Sequence, residues 1–488
     1  MKKVVTIAYN AVVAKLMEND HDLKIKVQAI LSYKVAGAEQ TFAFKSRGWD
    51  GRSSFLKFSN GTFPAGFVSL VSAHLNKMGY QVRRLTKPLP LPLGPENPRV
   101  DKYKEDPRYD YQMKTVNLLV KHGQIIARIA TGGGKSRIAK LAYARIKRRT
   151  MFLTTRSVLM HQMKEDFESM GVKVGVMGDG VWKPVKGVNV AMVQSIMAKM
   201  KKQPKTVAKI LESFEFVILE EAHESSGNGF YDIMQLCKNA YYRLALTATP
   251  FMKDDEEANM RLYGVSGPIG LAVDEKMLID RGILAKPYFK FVKLRGTPRK
   301  LFRSTPWPAA YRIGIVENSF RNDKIVHEAL RASLMNMSVL ILIQHKAHGR
   351  ILKEALDKLK VTNKFIFGES KQEERNQALA ELSSGEINVL IGSTILDVGV
   401  NVPSIDMIII GGAGKAEVGM RQRIGRGLRE KKNGPNVAYI IDFQDDLNTH
   451  LKKHYKQRFN IVKSTEGFGE NIVEDFDLKG FHDKSSNN

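Results

Sequence analysis

Cysteine is almost absent from this chain: Cys237 is the only one in 488 residues. No disulfide can close within the chain, and one thiol is too few for a zinc site built from cysteines. A reducing, cytoplasmic setting is the expectation, with no disulfide-linked partner. Long apolar runs are missing too. Stretches such as "VLILI" (Val339–Ile343) fall far short of a bilayer span, so no membrane partner is expected. The opening "MKKVVTIAYNAVVA" loosely mimics a signal peptide, but Thr6, Tyr9 and Asn10 interrupt its apolar part, and it reads as a first strand. Negative charge is scarce. Fifty acids stand against 77 lysines and arginines, a formal net charge of +27. Such an excess points to a polyanion partner, most simply nucleic acid.

Hydrophobic residues make up 43% of the chain, enough for packed cores. The length suggests roughly three domains of ~150 residues. Residues 1–86 read as a small α+β module. "DLKIKVQAIL" and "TFAFKS" alternate like strands, "GWDGR" is a turn and "SSFLKF" resumes a strand. "GFVSLVSAHLNKMG" carries a helical stripe, and "YQVRRL" returns as a strand. Five prolines between Pro88 and Pro98 then make residues 87–105 a semi-rigid extended linker. From Asp106 on, short β-branched runs alternate with helical segments: "QIIARIA", "TMFLTT", "VNVAMV", "FEFVIL", "RLALTA". The alternation restarts near Ser338 with "VLILIQ", "NKFIFG", "NVLIGS", "DMIIIG" and "VAYIID". This pattern predicts two α/β units with parallel sheets, residues 106–290 and 291–450, and a tail at 451–488 of unreadable purpose.

"IATGGGKS" follows the strand "QIIARIA". Gly132, Gly133 and Gly134, with Thr131, let the backbone curl around an anion at a helix N-terminus. Lys135 supplies a cation for β- and γ-phosphates, and Ser136 a hydroxyl for Mg²⁺. The usual pattern has glycine six residues before the lysine; here that position is Ile129. The basic residues of the following helix, among them Arg137, Lys140, Arg145 and Arg148, read as a solvated face. A second motif, "FVILEEAH", ends an apolar run in Glu220 and Glu221. Adjacent side chains at a strand end diverge, so Glu220 is the candidate for Mg²⁺ and Glu221 for the attacking water.

"EEAH", "ATGGGKS" and "LTATP" together resemble the first motor domain of a DEAH-type superfamily 2 helicase. The resemblance extends over roughly residues 106–445. "TTRSVLMHQ" and "VAMVQS" are similar to strand-contacting motifs, and "RYDYQ" to the adenine-reading element. "GSTILDVGVNVPSID" and "QRIGRGLR" are similar to motifs of the second motor domain. The resemblance implies two tandem RecA-like domains using ATP and Mg²⁺. It implies nucleotide contacts from Arg108, Gln112, Asp397 and Gly399, with Gln112 on the base edge. Arg426 and Arg429 would stabilise charge developing on the γ-phosphate. His223, Thr247, Thr249 and Gln422 would couple nucleotide state to grip, and Thr155, Arg156, Gln194, His345, Lys346 and Thr394 would hold the strand. The family has aspartate where this chain has Glu220, and the extra methylene moves the carboxylate about 1.5 Å further out. A working but slowed ATPase is expected.

"RGWDGRSSFLKFSNGTFPAGFVSLVSAHLNKMGYQV" resembles the N-terminal duplex-DNA-binding module of phage UvsW-type recombination helicases. Arg47, Arg52 and Lys57 would touch phosphates; Trp49 would wedge or pack. The resemblance implies a branched-DNA substrate, a monomer acting on DNA and, for a phage protein, the host cytoplasm. Fork regression, Holliday-junction migration and removal of D- or R-loops are the implied activities. Another superfamily 2 motor, on RNA or on duplex DNA, stays open, as does a clamp in which ATP only sets DNA affinity.

Overall fold

The computed structural model describes residues 3–101, 106–221, 228–251, 255–294, 296–367, 370–392, 405–412, 424–425, 427–431 and 434–478. The chain divides into two compact units: residues 1–129 with 134–273, and 130–133 with 274–488.

The first unit opens with a small sheet. Its strands are β1 (Val4–Tyr9), β2 (Val13–Leu16), β5 (Thr62–Pro64) and β6 (Gln81–Leu85), in the order β5-β2-β1-β6; β3 (Ser32–Lys34) pairs with β4 (Arg52–Ser54) beside it. Two expected strands are helices. "DLKIKVQAIL" lies in the helix His21–Ile30, where Asp20 caps the N-terminus by accepting from the Leu23 amide at 3.0 Å. Leu23 and Val27, four apart, are fully buried while Ile25 faces solvent, so the apparent alternation is half of a helical stripe. "TFAFKS" contains the one-turn helix Phe42–Lys45, capped by Thr41.

The module is fastened to the larger part of its unit. Phe67, fully buried, stacks on Tyr263 with centroids 5.6 Å apart, a burial that contributes about 1.5–3 kcal/mol. A Cβ on Gly66 would lie 2.3 Å from the Tyr263 carbonyl oxygen, so this close approach requires glycine. The proline-rich segment is not a free spacer. The Leu93 and Gly94 amides donate to the carbonyls of Ile146 and Arg145 at 3.0 Å each. Arg145 donates to the Gly94 carbonyl at 2.7 Å, Arg148 to that of Leu91 at 2.7 Å, and the Tyr242 hydroxyl to that of Pro90 at 2.6 Å. Two arginines expected on a solvated face therefore strap the linker down.

The main sheet of this unit has eight strands: β7 (Gln124–Ile129), β8 (Thr150–Thr154), β9 (Val174–Gly178), β10 (Val181–Lys183), β11 (Val188–Met192), β12 (Phe216–Glu220), β13 (Tyr242–Thr247) and β14 (Ile269–Val273). They run in the order β10-β9-β11-β8-β12-β13-β7-β14. All neighbours are parallel except β10 against β9. β8, β12 and β13 are buried along their whole length, which is why they read as unbroken apolar runs. Among the described residues, buried Arg243 in β13 has no carboxylate bonded to it. Four backbone carbonyls, of Met234, Cys237, Ala240 and Val265, accept from its guanidinium at 2.9–3.2 Å, and burial draws its pKa down to about 10.

The second unit holds a six-stranded, wholly parallel sheet: β15 (Lys286–Lys293), β16 (Val339–Leu342), β17 (Asn363–Ile366), β18 (Val389–Gly392), β19 (Met407–Ile410) and β20 (Val437–Gln444). Their order is β15-β20-β19-β16-β18-β17. The boundary expected at residue 290 falls inside β15, which pairs with β20 over eight residues. The expected tail also belongs to this unit's fold. Thr449–Ser464 is a helix, Ile472 bridges to Phe289, and Phe476 packs on Tyr439 at 4.8 Å. Its buried arginines are met by acids: Arg458 by Asp442 at 2.8 Å and Asp445 at 3.3 Å, and Arg321 by Asp445 at 2.6 Å.

Candidate active site

β7 continues through Ile129, which pairs with Val273 and is fully buried. A side chain there belongs to the core, so the turn starts one residue later than in the glycine-first pattern. The Gly133 amide donates back to the Ala130 carbonyl at 3.0 Å, and Gly132 and Gly134 take φ of 88° and 78°. Gly134 is the left-handed cap of the helix Lys135–Ile146. That helix presents Lys135 and Ser136 in its first turn, where the dipole favours an anion.

Gln112 lies beside this loop. It is buried, and a Cβ on Gly134 would come within 2.5 Å of its Nε2. Its Oε1 accepts from Arg137 Nη1 at 2.6 Å, and Arg137 in turn meets Asp101 at 2.6 Å. Arg137 was expected on a solvated face; it orients Gln112 instead. Nothing in the spacing of the helix distinguishes it, because its partners lie 25 and 36 residues upstream. Arg108 pairs with Asp106 at 2.8 Å, and this contact holds the Asp106 carboxyl below its ordinary value.

Two strands away, β12 delivers the paired acids. Glu220 is the last strand residue and aligns with Leu246 of β13. Glu221 leaves the strand with φ of 50°, a left-handed conformation uncommon for a residue with a side chain. Both are buried, at 7% and 5% exposure. Glu221 Oε1 lies 3.8 Å from Lys135 Nζ. The backbone reversal, rather than simple alternation along the strand, brings the second acid to the lysine. Thr247 ends β13, and its Oγ1 accepts from the Thr249 amide at 3.2 Å.

The same sheet edge carries three expected strand-contacting residues. Thr155 and Arg156 follow β8, and Gln194 follows β11; Gln194 Nε2 donates to the Thr155 carbonyl at 3.0 Å. In the second unit His345 caps the helix Lys346–Lys358 after β16, with its ring 4.7 Å from Tyr311. Behind it, His348 is wholly buried and bonded through Nε2 to Asn322 Oδ1 at 2.8 Å. Burial, with lesser contributions from Arg321 and His345, pushes its pKa down to about 3. Arg429 bridges through its backbone to Leu284 and has an exposed side chain. His223, Thr394, Asp397, Gly399, Gln422 and Arg426 lie outside the described residues.

In the front module, Trp49 is half-buried and Arg52 exposed, and both make local contacts. The Trp49 indole donates to the Arg52 carbonyl at 2.6 Å. Arg52 donates to Ser32 Oγ at 2.7 Å and lies 3.5 Å from Glu256. They close the "WDGR" turn and help seat the module. Arg47 and Lys57 are exposed.

Among the described residues no group of three His, Cys, Asp or Glu side chains could hold a metal by itself. The hydroxyl of Ser136 and the carboxylate of Glu220 are nonetheless hard oxygen donors suited to Mg²⁺, which takes one or two carboxylates and completes its shell with water and substrate phosphates.

Family comparison gives two matches. The model described as "Type III restriction enzyme, res subunit" matches residues 106–252, and "Helicase conserved C-terminal domain" matches residues 322–431. The chain is a superfamily 2 helicase. This helicase is 25% identical over 368 residues to the DNA 3'-5' translocase XPB2 of Sulfurisphaera tokodaii, covering 68% of this chain and 81% of that one. A fragment of a putative HsdR subunit of a type I restriction enzyme from Vibrio vulnificus shares the fold, with a TM-score of 0.54 at 19% identity over 73% of this chain and 66% of that one. The structure of T4 UvsW aligns with 97% of this helicase and 99% of its own chain, with a TM-score of 0.48 and 18% identity. No helix among the described residues is long and apolar enough to cross a membrane.

Proposed function

We propose that this helicase hydrolyses ATP at the Lys135–Glu221 site and uses the energy to remodel branched DNA. The observation that carries the reading is the 3.8 Å approach of Lys135 to Glu221 at the edge that also holds Thr155 and Gln194. Lys135 neutralises the β- and γ-phosphates. Glu221, shielded from bulk water, orients the attacking water and takes its proton. Glu220 and Ser136 would hold Mg²⁺, which would supply charge neutralisation at the phosphates. Arg426 and Arg429 stabilise charge that develops during transfer, a contribution typically worth ~10³–10⁵-fold in rate. Strand grip then varies with nucleotide state, a two-state coupling through differential binding.

Branched DNA is favoured by the front module, whose sequence resembles that of the UvsW-type recombination helicases; the formal charge of +27 supports a nucleic-acid partner in general. One alternative draws support from the XPB2 relative, named a translocase: tracking along duplex DNA without separating strands. ATP hydrolysis and strand displacement compared on a four-way junction, a fork, linear duplex and RNA test the reading. The highest stimulation and displacement on junction or fork are expected. Stimulation by RNA above DNA overturns the substrate. Triplex displacement on linear duplex without strand separation selects the translocase.

A further inference from the structure

A second charged site lies at the other end of the eight-stranded sheet. A cleft of about 440 Å³ opens where the front module, the start of the proline strap and the N-terminal ends of β7, β13 and β14 meet. Every formally charged residue lining it is basic: Arg84 from the module, Lys87 from the strap and Lys121 from the helix preceding β7, with His122 beside it. No carboxylate lines it. Arg84 is steadied by its Nε donating to Ser72 Oγ at 3.1 Å. Neither Lys87 nor Lys121 makes an ion pair among the described residues. The strap bonds already described fix the chain just beyond Lys87, and Gln124 ties the base of β7 to the module by donating to the Ala11 carbonyl at 2.9 Å. The six residues of β7 separate this cleft from the phosphate loop by about 20 Å.

Like charges gathered from three separate segments repel one another unless an anion is shared among them. The cleft is open to solvent and its cations are exposed, which suits a backbone passing through rather than an enclosed small molecule. We infer that the cleft formed by Arg84, Lys87, Lys121 and His122 binds the phosphodiester backbone of a DNA duplex arm, remote from the strand gripped at the nucleotide edge. This inference rests on the DNA-remodelling reading and specifies where a second arm is held. Because the module and the helix leading into β7 both contribute cations, the bound phosphates would also hold the two together.

The test is a K87E/K121E double variant of the full chain, with K87R/K121R as the charge-preserving control and thermal melting to verify folding. Binding to a four-way junction is measured across a salt series, beside a short linear duplex and inorganic pyrophosphate. The expected result is a roughly tenfold loss of junction affinity, and a salt slope lower by about two, the value for two lost phosphate contacts. The arginine control restores both, and the linear duplex is affected less. Unchanged junction affinity and slope overturn the inference. So does pyrophosphate binding that the variant abolishes while junction binding is unaltered, because the cleft would then be a small-anion site. Wild-type protein without DNA-stimulated ATP hydrolysis would overturn the broader reading instead, independently of the variant.

Discussion

The two ends of one mostly parallel sheet carry opposite kinds of charge arrangement. At the C-terminal edge Lys135 faces Glu221, and Glu220 adjoins it, all three held close to the protein interior. At the N-terminal edge Arg84, Lys87, Lys121 and His122 stand in the open with no acid among them. Mixed charge at short range, shielded from water, is what phosphoryl transfer requires, since every electrostatic interaction there is strengthened. Charge of one sign in solvent makes no chemistry, but it attracts a polyanion and responds to salt. The same protein thus separates reaction from anchorage by the length of a strand.

The largest expected effect breaks the reactive end. Lys135→Ala should lower ATP turnover roughly 10²–10³-fold, as loss of a preorganised positive group does, with junction binding retained in a nucleotide-free filter assay. Turnover within a few-fold of wild type would remove the lysine from the site. Next comes a control for burial without a counter-ion, in the second unit. The folded pKa of His348 is about 3 against an ordinary 6.5. The unfolded chain therefore takes up a proton that the folded chain refuses as pH falls below 6.5, and stability is lost in that direction. Between pH 7 and pH 5 the loss should be roughly 2 kcal/mol. His348→Gln should flatten this dependence in chemical denaturation, and an unchanged slope would contradict the assignment.

The charge reversal in the N-terminal cleft ranks third, at about a factor of ten in affinity. Its value for the comparison is that the effect should appear in salt slope rather than in catalysis. Glu220→Asp should have the smallest effect, leaving phosphate release similar to wild type or a few-fold higher, since a water-bridged metal tolerates a shorter carboxylate. Complete loss of turnover would show that the longer side chain is required.

Much of the architecture was legible because the central strands are buried on both faces. "TMFLTT", "FEFVIL" and "RLALTA" can only be core, and each lies on a strand of the main sheet. The front module was less legible. Leu23, Ile25 and Val27 alternate in the chain, yet only the first and third are buried, and the cap at Asp20 decides for helix. At the candidate site, the glycines, Lys135 and the paired acids stood out as local motifs. The left-handed turn at Glu221 did not, because nothing in "EEAH" specifies a reversal. Contacts between distant segments stayed hidden for the same reason: Arg137 with Gln112, Arg145 with Gly94, and the cations of the cleft are brought together only by tertiary packing.

Phosphate release in a single turnover, with and without a four-way junction, from wild-type protein and from Glu221→Gln, bears most directly on the Lys135–Glu221 site. The wild type should release phosphate faster when the junction is present. The glutamine variant should bind ATP with near-normal affinity and release phosphate at least about a hundredfold more slowly. Equal release rates from the two proteins would contradict the assignment of Glu221 and, with it, the hydrolytic reading of the paired acids.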